Sequence, residues 1–193
     1  MRICVYGASA NELAPAFFQA ARDLGRLLAR GGHTLVFGGG AGGLMGACAR
    51  GAAEEGGEIL GIAPRFFDEP GILFPNCTRF VYTDTMAQRK TAMARESDAF
   101  IALPGGIGTF EEFFETLTLK QLGRHGKAMA LLNTRDYYRP LTAMLERAAE
   151  EGFLSRRCFD LYALCATPEE ALRHVLTDEP VTGDLSRLSD YNR

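Results

Sequence analysis

The fold of this chain is set by a strand, a glycine-rich loop and a helix that follow one another as Asp98-Ala99-Phe100-Ile101-Ala102-Leu103-Pro104-Gly105-Gly106-Ile107-Gly108-Thr109-Phe110-Glu111-Glu112. Residues 98–103 form a short apolar run, which is typical of a strand buried on both faces of a sheet. Pro104 cannot donate to a strand ladder and therefore ends it. The glycines that follow carry no Cβ, so a ligand can approach their backbone N–H groups closely.

Thr109 is predicted to open a helix after this loop, because the apolar residues Phe110, Phe113, Phe114 and Leu117 recur at helical spacing behind it. The first N–H groups of a helix lack partners within the helix, and they lie at the positive end of its dipole. An anion can occupy that position. The stretch therefore predicts a phosphate site, and nucleotide binding is the leading hypothesis.

Apolar strand-like segments alternate with amphipathic helix-like segments along the whole chain. The predicted strands lie at 3–7, 34–37, 59–63, 79–83, 99–103, 128–132 and 161–165, and the predicted helices at 14–30, 44–55, 85–96, 109–122, 138–150 and 168–175. This alternation predicts an α/β fold, a Rossmann-like doubly wound and mostly parallel sheet with helices on both faces. With 193 residues, 47% of them apolar, we expect one domain over residues 1–176 and a polar surface tail over 177–193.

Three glycine-bearing turns follow predicted strands, at 7–9, 38–43 and 105–108, and such turns of a parallel sheet can converge on one crevice. The second turn satisfies the dinucleotide pattern G-x-G-x-x-G, but almost any six residues with five glycines would. The next strand ends at Pro64 and Arg65 rather than at the acidic residue that a dinucleotide site needs. The second turn therefore indicates that the phosphate-bearing part of some nucleotide can approach the backbone closely, but it does not specifically indicate NAD.

The carboxylate of Glu112 has two interpretations that the sequence leaves open. Thr109 and Glu112 have the spacing of a capping box, in which the glutamate would bond the backbone N–H of the threonine. The same carboxylate could instead face the crevice and take part in catalysis. Arg89 and Lys90, taken alone, are a solvated basic pair.

Composition and charge exclude several classes of function. A net charge of −3, from 21 basic and 24 acidic residues, provides no field that would attract nucleic acid or an anionic membrane. The five cysteines are widely spaced without a C-x-x-C pair, and the three histidines are isolated, so neither a disulfide framework nor a metal site is predicted. A strand-like run from residue 2 and the lack of a long apolar segment predict a cytoplasmic protein without a leader or a membrane span.

Several motifs together resemble the LOG family, the cytokinin-activating phosphoribohydrolases long mislabelled as lysine decarboxylases. The likeness rests on Met86-Ala87-Gln88-Arg89-Lys90, the strand 97–103, the P-G-G-x-G-T-x-x-E run at 104–112, and Gln121-Leu122-Gly123. Gly38-Gly39-Gly40, Gly43-Leu44-Met45-Gly46, Leu131-Leu132-Asn133 and Tyr137-Tyr138-x-Pro140-Leu141 extend it over most of the chain, in the order of the family.

The resemblance implies hydrolysis of the N-glycosidic bond of an adenine-type nucleoside 5′-monophosphate to the free base and ribose 5-phosphate, without a cofactor, usually by a homodimer. It assigns catalysis to Arg89 and Glu112. Nucleotide contacts are implied for Lys90, Gly105, Gly106, Ile107, Gly108, Thr109, Glu111 and Thr118, and candidate loop contacts for Gly39, Gly40, Gly43 and Met86. Ala87 stands where the family commonly has histidine, which bears on base preference rather than on the glycosidic chemistry.

Two other functions remain to be weighed. Relatives with this fold bind molybdenum cofactor, so the alternative is a non-enzymatic carrier or sensor of a phosphorylated ligand. A lysine decarboxylase is disfavoured, because pyridoxal phosphate requires a Schiff-base lysine and the contexts of Lys90, Lys120 and Lys127 do not suggest that role.

Overall fold

A computed structural model describes residues 1–178 as a parallel β-sheet between two layers of helices. The strands are β1 (Arg2–Tyr6), β2 (Thr34–Phe37), β3 (Ile59–Pro64), β4 (Arg79–Thr83), β5 (Ala99–Ala102), β6 (Ala128–Leu132) and β7 (Ala163–Cys165). The α-helices are α1 (Pro15–Arg30), α2 (Gly43–Glu54), α3 (Met86–Arg95), α4 (Ile107–Gln121), α5 (Arg139–Glu150) and α6 (Pro168–Thr177). Short 3₁₀ helices occupy Arg65–Phe67, Thr134–Asp136 and Arg156–Leu161.

The strand order β4-β3-β2-β1-β5-β6-β7 confirms the predicted doubly wound fold. The chain first moves outward from β1 through β2, β3 and β4, then crosses to the other side of β1 and continues through β5, β6 and β7. All these strand pairs are parallel. The direction of winding therefore reverses between β1 and β5, which is where ligands bind in open α/β sheets.

Alternating side chains along the central strands build two apolar cores, one on each face. From β1, Ile3 and Val5 pack with α1, α2 and α6, whereas Cys4 and Tyr6 pack with α3, α4 and α5. Because both faces are covered, the strands are apolar at nearly every position rather than at every second one. This is why β3, β5 and β6 are recognisable in the sequence as short apolar runs.

Element boundaries agree with the sequence to within one or two residues, and β2, β4 and β6 have the predicted bounds. The start of the last strand is different, because Leu161 ends a 3₁₀ helix and β7 begins at Ala163. Helix α6 extends to Thr177 instead of 175. Apart from residues 177 and 178, the predicted tail over 177–193 lies outside the described residues.

The cysteines are core thiols, as predicted for most of them. Cys4, Cys48, Cys158 and Cys165 are buried and Cys77 is half-buried. Burial raises the pKa of Cys4 and of Cys48 to about 12, so both stay protonated and unreactive at neutral pH. No helix within residues 1–178 has the length and apolar character needed to cross a membrane.

Helices α1 and α2 pack backbone to backbone through two glycines. A Cβ on Gly25 would lie 2.0 Å from the carbonyl oxygen of Cys48, and one on Gly51 would lie 2.0 Å from that of Arg22. Neither backbone can move aside without separating the helices. The small residues of α2 therefore allow the two helix backbones to approach each other closely.

We predict that Gly25→Ala lowers the free energy of unfolding by about 1–3 kcal/mol, because the added methyl group overpacks the contact with Cys48. Urea unfolding followed by circular dichroism measures the change. The matched control is Gln19→Ala on the exposed side of α1, which should stay within about 0.5 kcal/mol of wild type. A Gly25→Ala protein as stable as this control would contradict the contact.

Candidate active site

A cleft of about 640 Å³ lies where β1, β2 and β5 end, at the point where the winding of the sheet reverses. Residues from all three glycine-bearing turns line it, so the turns do converge. Its lining comprises Gly7–Asn11, Gly38, Gly40, Gly42, Met45, Phe67, Gly71–Leu73, Met86, Arg89, Gly106–Thr109, Glu111 and Glu112. The volume is within the range of small-molecule sites.

A buried ion pair between Arg89 and Glu112 forms the floor of the cleft. The guanidinium Nη1 of Arg89, on α3, donates to Oε1 of Glu112, on α4, at 2.7 Å. Only 8% and 9% of the two side chains are exposed. Charged side chains are seldom buried to this extent unless they are paired. The burial of both residues therefore depends on the ion pair between them.

The guanidinium of Arg89 has two further supports. Its Nε donates to the carbonyl oxygen of Ile62, in β3, at 3.2 Å. A Cβ on Gly38 would lie 1.8 Å from its Nη2, so the space that Arg89 fills exists only because residue 38 has no side chain. The first glycine of the turn at 38–43 therefore makes room for an arginine rather than for a ligand.

The carboxyl group of Glu112 has a raised pKa. Burial disfavours its charged form and raises the pKa, whereas the positive charge of Arg89 and the hydrogen bond from it act in the opposite direction. The net effect is upward because the desolvation of the carboxylate outweighs the attraction of a single cation. A carboxyl group with this property in a cleft is a candidate for acid, base or electrostatic chemistry.

The capping-box interpretation of Glu112 is wrong. Helix α4 begins at Ile107, two residues before Thr109, and its N-cap is Gly106, without a side-chain hydrogen bond. The carboxylate of Glu112 therefore bonds Arg89 instead of a helix N–H group. The capping box of this region lies at the start of α3, where Thr85 and Gln88 bond each other's backbone N–H groups.

The start of α4 is open to a ligand at two of its glycines. A Cβ on Gly106 or on Gly108 would meet nothing within 4 Å, and Ile107 between them is 87% exposed. Gly105 differs, because a Cβ there would lie 2.0 Å from Oγ1 of the buried Thr109. Gly106, Ile107 and Gly108 thus line the cleft at the start of α4, while Gly105 is required by packing.

The turn after β2 is held mainly by contacts within the protein. Gly39 and Gly43 adopt positive φ values of 77° and 57°. A Cβ on Gly39 would lie 2.7 Å from the ring of Phe80, and one on Gly43 would lie 2.2 Å from the carbonyl oxygen of Ala8. Of the four candidate contacts predicted in this group, Gly40 and Met86 line the cleft, whereas Gly39 and Gly43 do not.

Lys90 lies beside the cleft rather than in its lining. Its Nζ contacts a carboxylate oxygen of Glu111, at the rim, and Oε2 of Glu115 at 2.9 Å. These ion pairs are partly exposed, so their contribution to stability is small. Thr118 lies farther along α4, exposed, and the structure does not bring it to the cleft.

Sequence reasoning missed the segment between β3 and β4. Phe67, Gly71, Ile72 and Leu73 line the cleft, and Leu73 forms an antiparallel bridge with Gly40. The segment has no helical or strand periodicity, and the exposure of its apolar residues, 45% for Ile72, is visible only in the folded chain, so the sequence offered no signal for it. Asn11 was missed as well, and its Oδ1 accepts a hydrogen bond from the N–H of Gly43 at 2.8 Å.

None of the three lysines is placed in the cleft. The amine of Lys120 is buried and donates to the carbonyl oxygen of Leu161 at 2.8 Å, and burial lowers its pKa. Lys127 donates to the carbonyl oxygen of Ala94 at 2.6 Å. Within residues 1–178, no group of three or more metal-ligating side chains is assembled either.

Comparison with known proteins identifies relatives over most of the chain. A family model described as possible lysine decarboxylase matches residues 45–175. A probable cytokinin riboside 5′-monophosphate phosphoribohydrolase of Oryza sativa subsp. japonica is 42% identical over 173 residues, which are 89% of this chain and 77% of the relative. A cytokinin riboside 5′-monophosphate phosphoribohydrolase of Rhodococcoides fascians is 44% identical over 155 residues, 80% of this chain and 78% of the relative.

Solved structures share the fold. The molybdenum cofactor binding protein from the phototrophic bacterium Rippkaea orientalis has a TM-score of 0.69 at 24% identity, covering 89% of this chain and 93% of that one. The molybdenum cofactor carrier protein from Chlamydomonas reinhardtii also has a TM-score of 0.69 at 24% identity, covering 91% and 95%. At this identity the likeness concerns the fold alone.

We predict that Arg89→Met raises the pKa of Glu112 further, because it removes the cation that opposes the effect of burial. A ¹³C NMR titration of the glutamate carboxyl groups measures the pKa. Since the pKa of Glu112 in the folded chain lies above that in the unfolded chain, its contribution to stability is largest at low pH and declines as the pH rises through the folded-state pKa. That decline should be steeper in the variant, which urea unfolding at a series of pH values measures.

Lys90→Met is the control for this titration, because Lys90 affects Glu112 less than Arg89 does and lies outside the lining of the cleft. It should move the pKa of Glu112 only slightly. A pKa of Glu112 that falls, or stays constant, in Arg89→Met would show that the two charges do not interact as described.

Proposed function

Because the chain belongs to the LOG family of cytokinin riboside 5′-monophosphate phosphoribohydrolases, we propose that it hydrolyses the N-glycosidic bond of adenine-type nucleoside 5′-monophosphates. The products are the free base and ribose 5-phosphate. The proposal rests on relatives that are more than 40% identical over at least 80% of this chain. It also rests on the site, where a buried carboxylate and a helix N-terminus share one cleft.

The observation that carries the proposal is the position of the Arg89–Glu112 pair directly beside the start of α4. A nucleoside monophosphate has an anionic group at one end and a glycosidic carbon a few bonds away. The cleft offers a binding position for the first and a carboxylate for the second, both on the same helix. Gly106, Gly108 and Thr109 belong to the phosphate position, and Glu112 lies one helical turn beyond Gly108.

In this proposal the phosphate binds the free N–H groups at the start of α4, where the helix dipole favours a negative charge. The open space at Gly106 and Gly108 supports this, because a side chain there would keep the phosphate from the backbone. Binding of the phosphate places the ribose over Glu112. Interaction energy from a group that does not react is thereby used to orient the one that does.

Cleavage breaks the bond between C1′ and the base nitrogen, and the bonding electrons leave with the base. Positive charge develops on the ribose, and the carboxylate of Glu112 stabilises it and orients the water that attacks C1′. The water oxygen bonds to C1′, and its proton balances the negative charge of the departing base. Arg89 keeps Glu112 in place through the 2.7 Å hydrogen bond and favours departure of the base with its positive charge.

We propose that the base contacts the apolar side chains of the cleft. Met45, Phe67, Ile72, Leu73 and Met86 are among the lining residues, and they suit a purine ring with or without an apolar substituent. We propose AMP and isopentenylated AMP as the substrates to compare. Ala87, where the family commonly has histidine, is exposed beside Met86 and bears on the choice between them.

A carrier of molybdenum cofactor has less support than a hydrolase. The solved carrier and binding proteins are 24% identical to this chain, whereas the relatives named as phosphoribohydrolases are 42% and 44% identical. The description possible lysine decarboxylase lacks support from the site, because none of the three lysines lines the cleft and each of them binds a carboxylate or a carbonyl oxygen.

We further propose that residues 1–176 act as one catalytic domain, that the protein is a cytoplasmic homodimer, and that it needs no cofactor. The family resemblance supports the dimer, and the exposed apolar residues Leu119, on α4, and Leu122, directly after it, provide a surface for it. Light scattering coupled to gel filtration should give twice the mass of the chain, and a monomer at micromolar concentration would refute the dimer.

We predict that Glu112→Gln lowers kcat by about 10²–10⁴-fold while leaving nucleotide affinity nearly unchanged, because the amide keeps the shape of the side chain but not its charge. Free base and ribose 5-phosphate are followed by chromatography with AMP and isopentenylated AMP as substrates. Nucleotide affinity is measured by calorimetry on the same preparations.

Glu115→Gln is the matched control, one turn farther along α4 and outside the lining of the cleft. It should retain nearly the activity of the wild type. If Glu112→Gln lost affinity and turnover equally, a structural role would explain the residue better. If the wild type bound nucleotide tightly without releasing base, the protein would be a carrier.

A further inference from the structure

Two consecutive tyrosines bond the carbonyl oxygens of the loop between β5 and α4. The hydroxyl of Tyr137 donates to the carbonyl oxygen of Gly105 at 2.5 Å, and the hydroxyl of Tyr138 donates to that of Leu103 at 2.6 Å. Both tyrosines lie more than 30 residues beyond the loop, between β6 and α5. Two phenols from one turn thus restrain the two ends of Pro104-Gly105.

The turn that carries the tyrosines is strained. Arg135 and Asp136 are consecutive non-glycine residues whose backbones lie in the left-handed region, at φ 56° and 57°. Asn133 holds this backbone: its Nδ2 donates to Oδ1 of Asp136 at 3.1 Å, and its Oδ1 accepts from the N–H of Tyr138 at 2.8 Å. Left-handed residues other than glycine cost free energy and persist only where the surrounding structure imposes them, often at functional sites.

Packing fixes the two rings as well. Tyr138 is 1% exposed, and burial raises the pKa of its hydroxyl, which therefore remains a protonated donor. Tyr137 stacks on Phe110, in the first turns of α4, with ring centroids 6.5 Å apart, and meets Phe17 of α1 edge-on at 6.1 Å. The hydroxyl groups consequently have little freedom to follow a moving loop.

The hydrogen bond from Tyr137 determines the direction of an N–H group. In a trans peptide, the C=O of Gly105 and the N–H of Gly106 point in opposite directions. Holding the carbonyl oxygen against Tyr137 thus aims the N–H of Gly106 away from Tyr137. The same hydrogen bond keeps the carbonyl oxygen of Gly105, which carries a partial negative charge, from turning toward a bound anion.

We propose that Tyr137 and Tyr138 are positioning residues that hold the loop at 103–106 in the conformation that binds the phosphate group of the ligand. This deepens the proposed function and rests on it. The tyrosines do not line the cleft, so they act through the loop. Their loss should weaken recognition of the phosphate and leave recognition of the base unchanged.

The test compares Tyr137→Phe with wild type in binding two probes by calorimetry: ribose 5-phosphate, and adenosine, which has the base and ribose but no phosphate. Tyr137 is partly exposed, so this variant should fold. We expect its affinity for ribose 5-phosphate to fall about five- to tenfold, the loss expected for one hydrogen bond, and its affinity for adenosine to stay unchanged. The KM for AMP should rise by the same factor.

Tyr82→Phe is the matched control, because Tyr82 lies on the edge strand β4 and outside the lining of the cleft. It should bind both probes like wild type. An unchanged affinity for ribose 5-phosphate in Tyr137→Phe would overturn the proposal. So would an equal loss of both probes, or a wild-type protein that does not bind ribose 5-phosphate.

Amide hydrogen exchange provides a second readout that needs no ligand. Ala8 and Phe110 report on the loop, because their N–H groups donate to the carbonyl oxygens of Pro104 and Gly106. Their exchange should be faster in Tyr137→Phe and in Tyr138→Phe, while exchange in α3 stays at the wild-type rate. Faster exchange throughout the protein would indicate general destabilisation and contradict the positioning role. Because binding and exchange are measured without turnover, a wild type that binds ribose 5-phosphate but releases no base would refute the proposed function and leave this proposal standing.

Discussion

The burial of two opposite charges, Arg89 and Glu112, is the constraint on which the rest of the site depends. Removing either partner would leave an unpaired charge in the interior, which costs about 3–5 kcal/mol. The pair can form only because α3 and α4 begin at the same edge of the sheet, and because residue 38 leaves room for the guanidinium. It also lies next to the helix N-terminus that is open to an anion, so one arrangement serves both folding and chemistry.

The two glycine-rich turns serve different purposes that their composition does not reveal. In the turn after β2, a side chain at Gly38, Gly39 or Gly43 would clash with other atoms of the protein. In the turn after β5, the space at Gly106 and Gly108 is empty and faces the cleft. Glycine therefore marks close packing at three positions of the first turn and access for a ligand at two positions of the second.

The sequence predicted the architecture well, because β3, β5 and β6 are buried on both faces and form apolar runs that local patterns detect. It failed at the start of α4, since Gly106 caps the helix without a side-chain bond and Thr109 has the better-known capping signature. The contact between Arg89 and Glu112 joins residues 23 positions apart on different helices. Only the family resemblance brought these two together, and neither pattern nor resemblance indicated the segment with Ile72, whose place in the cleft is set by pairing with the turn after β2.

A crystal structure of the Glu112→Gln protein with AMP bound would test the central claim most directly. The account predicts phosphate oxygens about 3 Å from the N–H groups at the start of α4. It also predicts that C1′ of the ribose faces the side chain of residue 112, with the base against the apolar part of the cleft. A phosphate bound away from α4, or a ribose with C1′ turned away from residue 112, would contradict it.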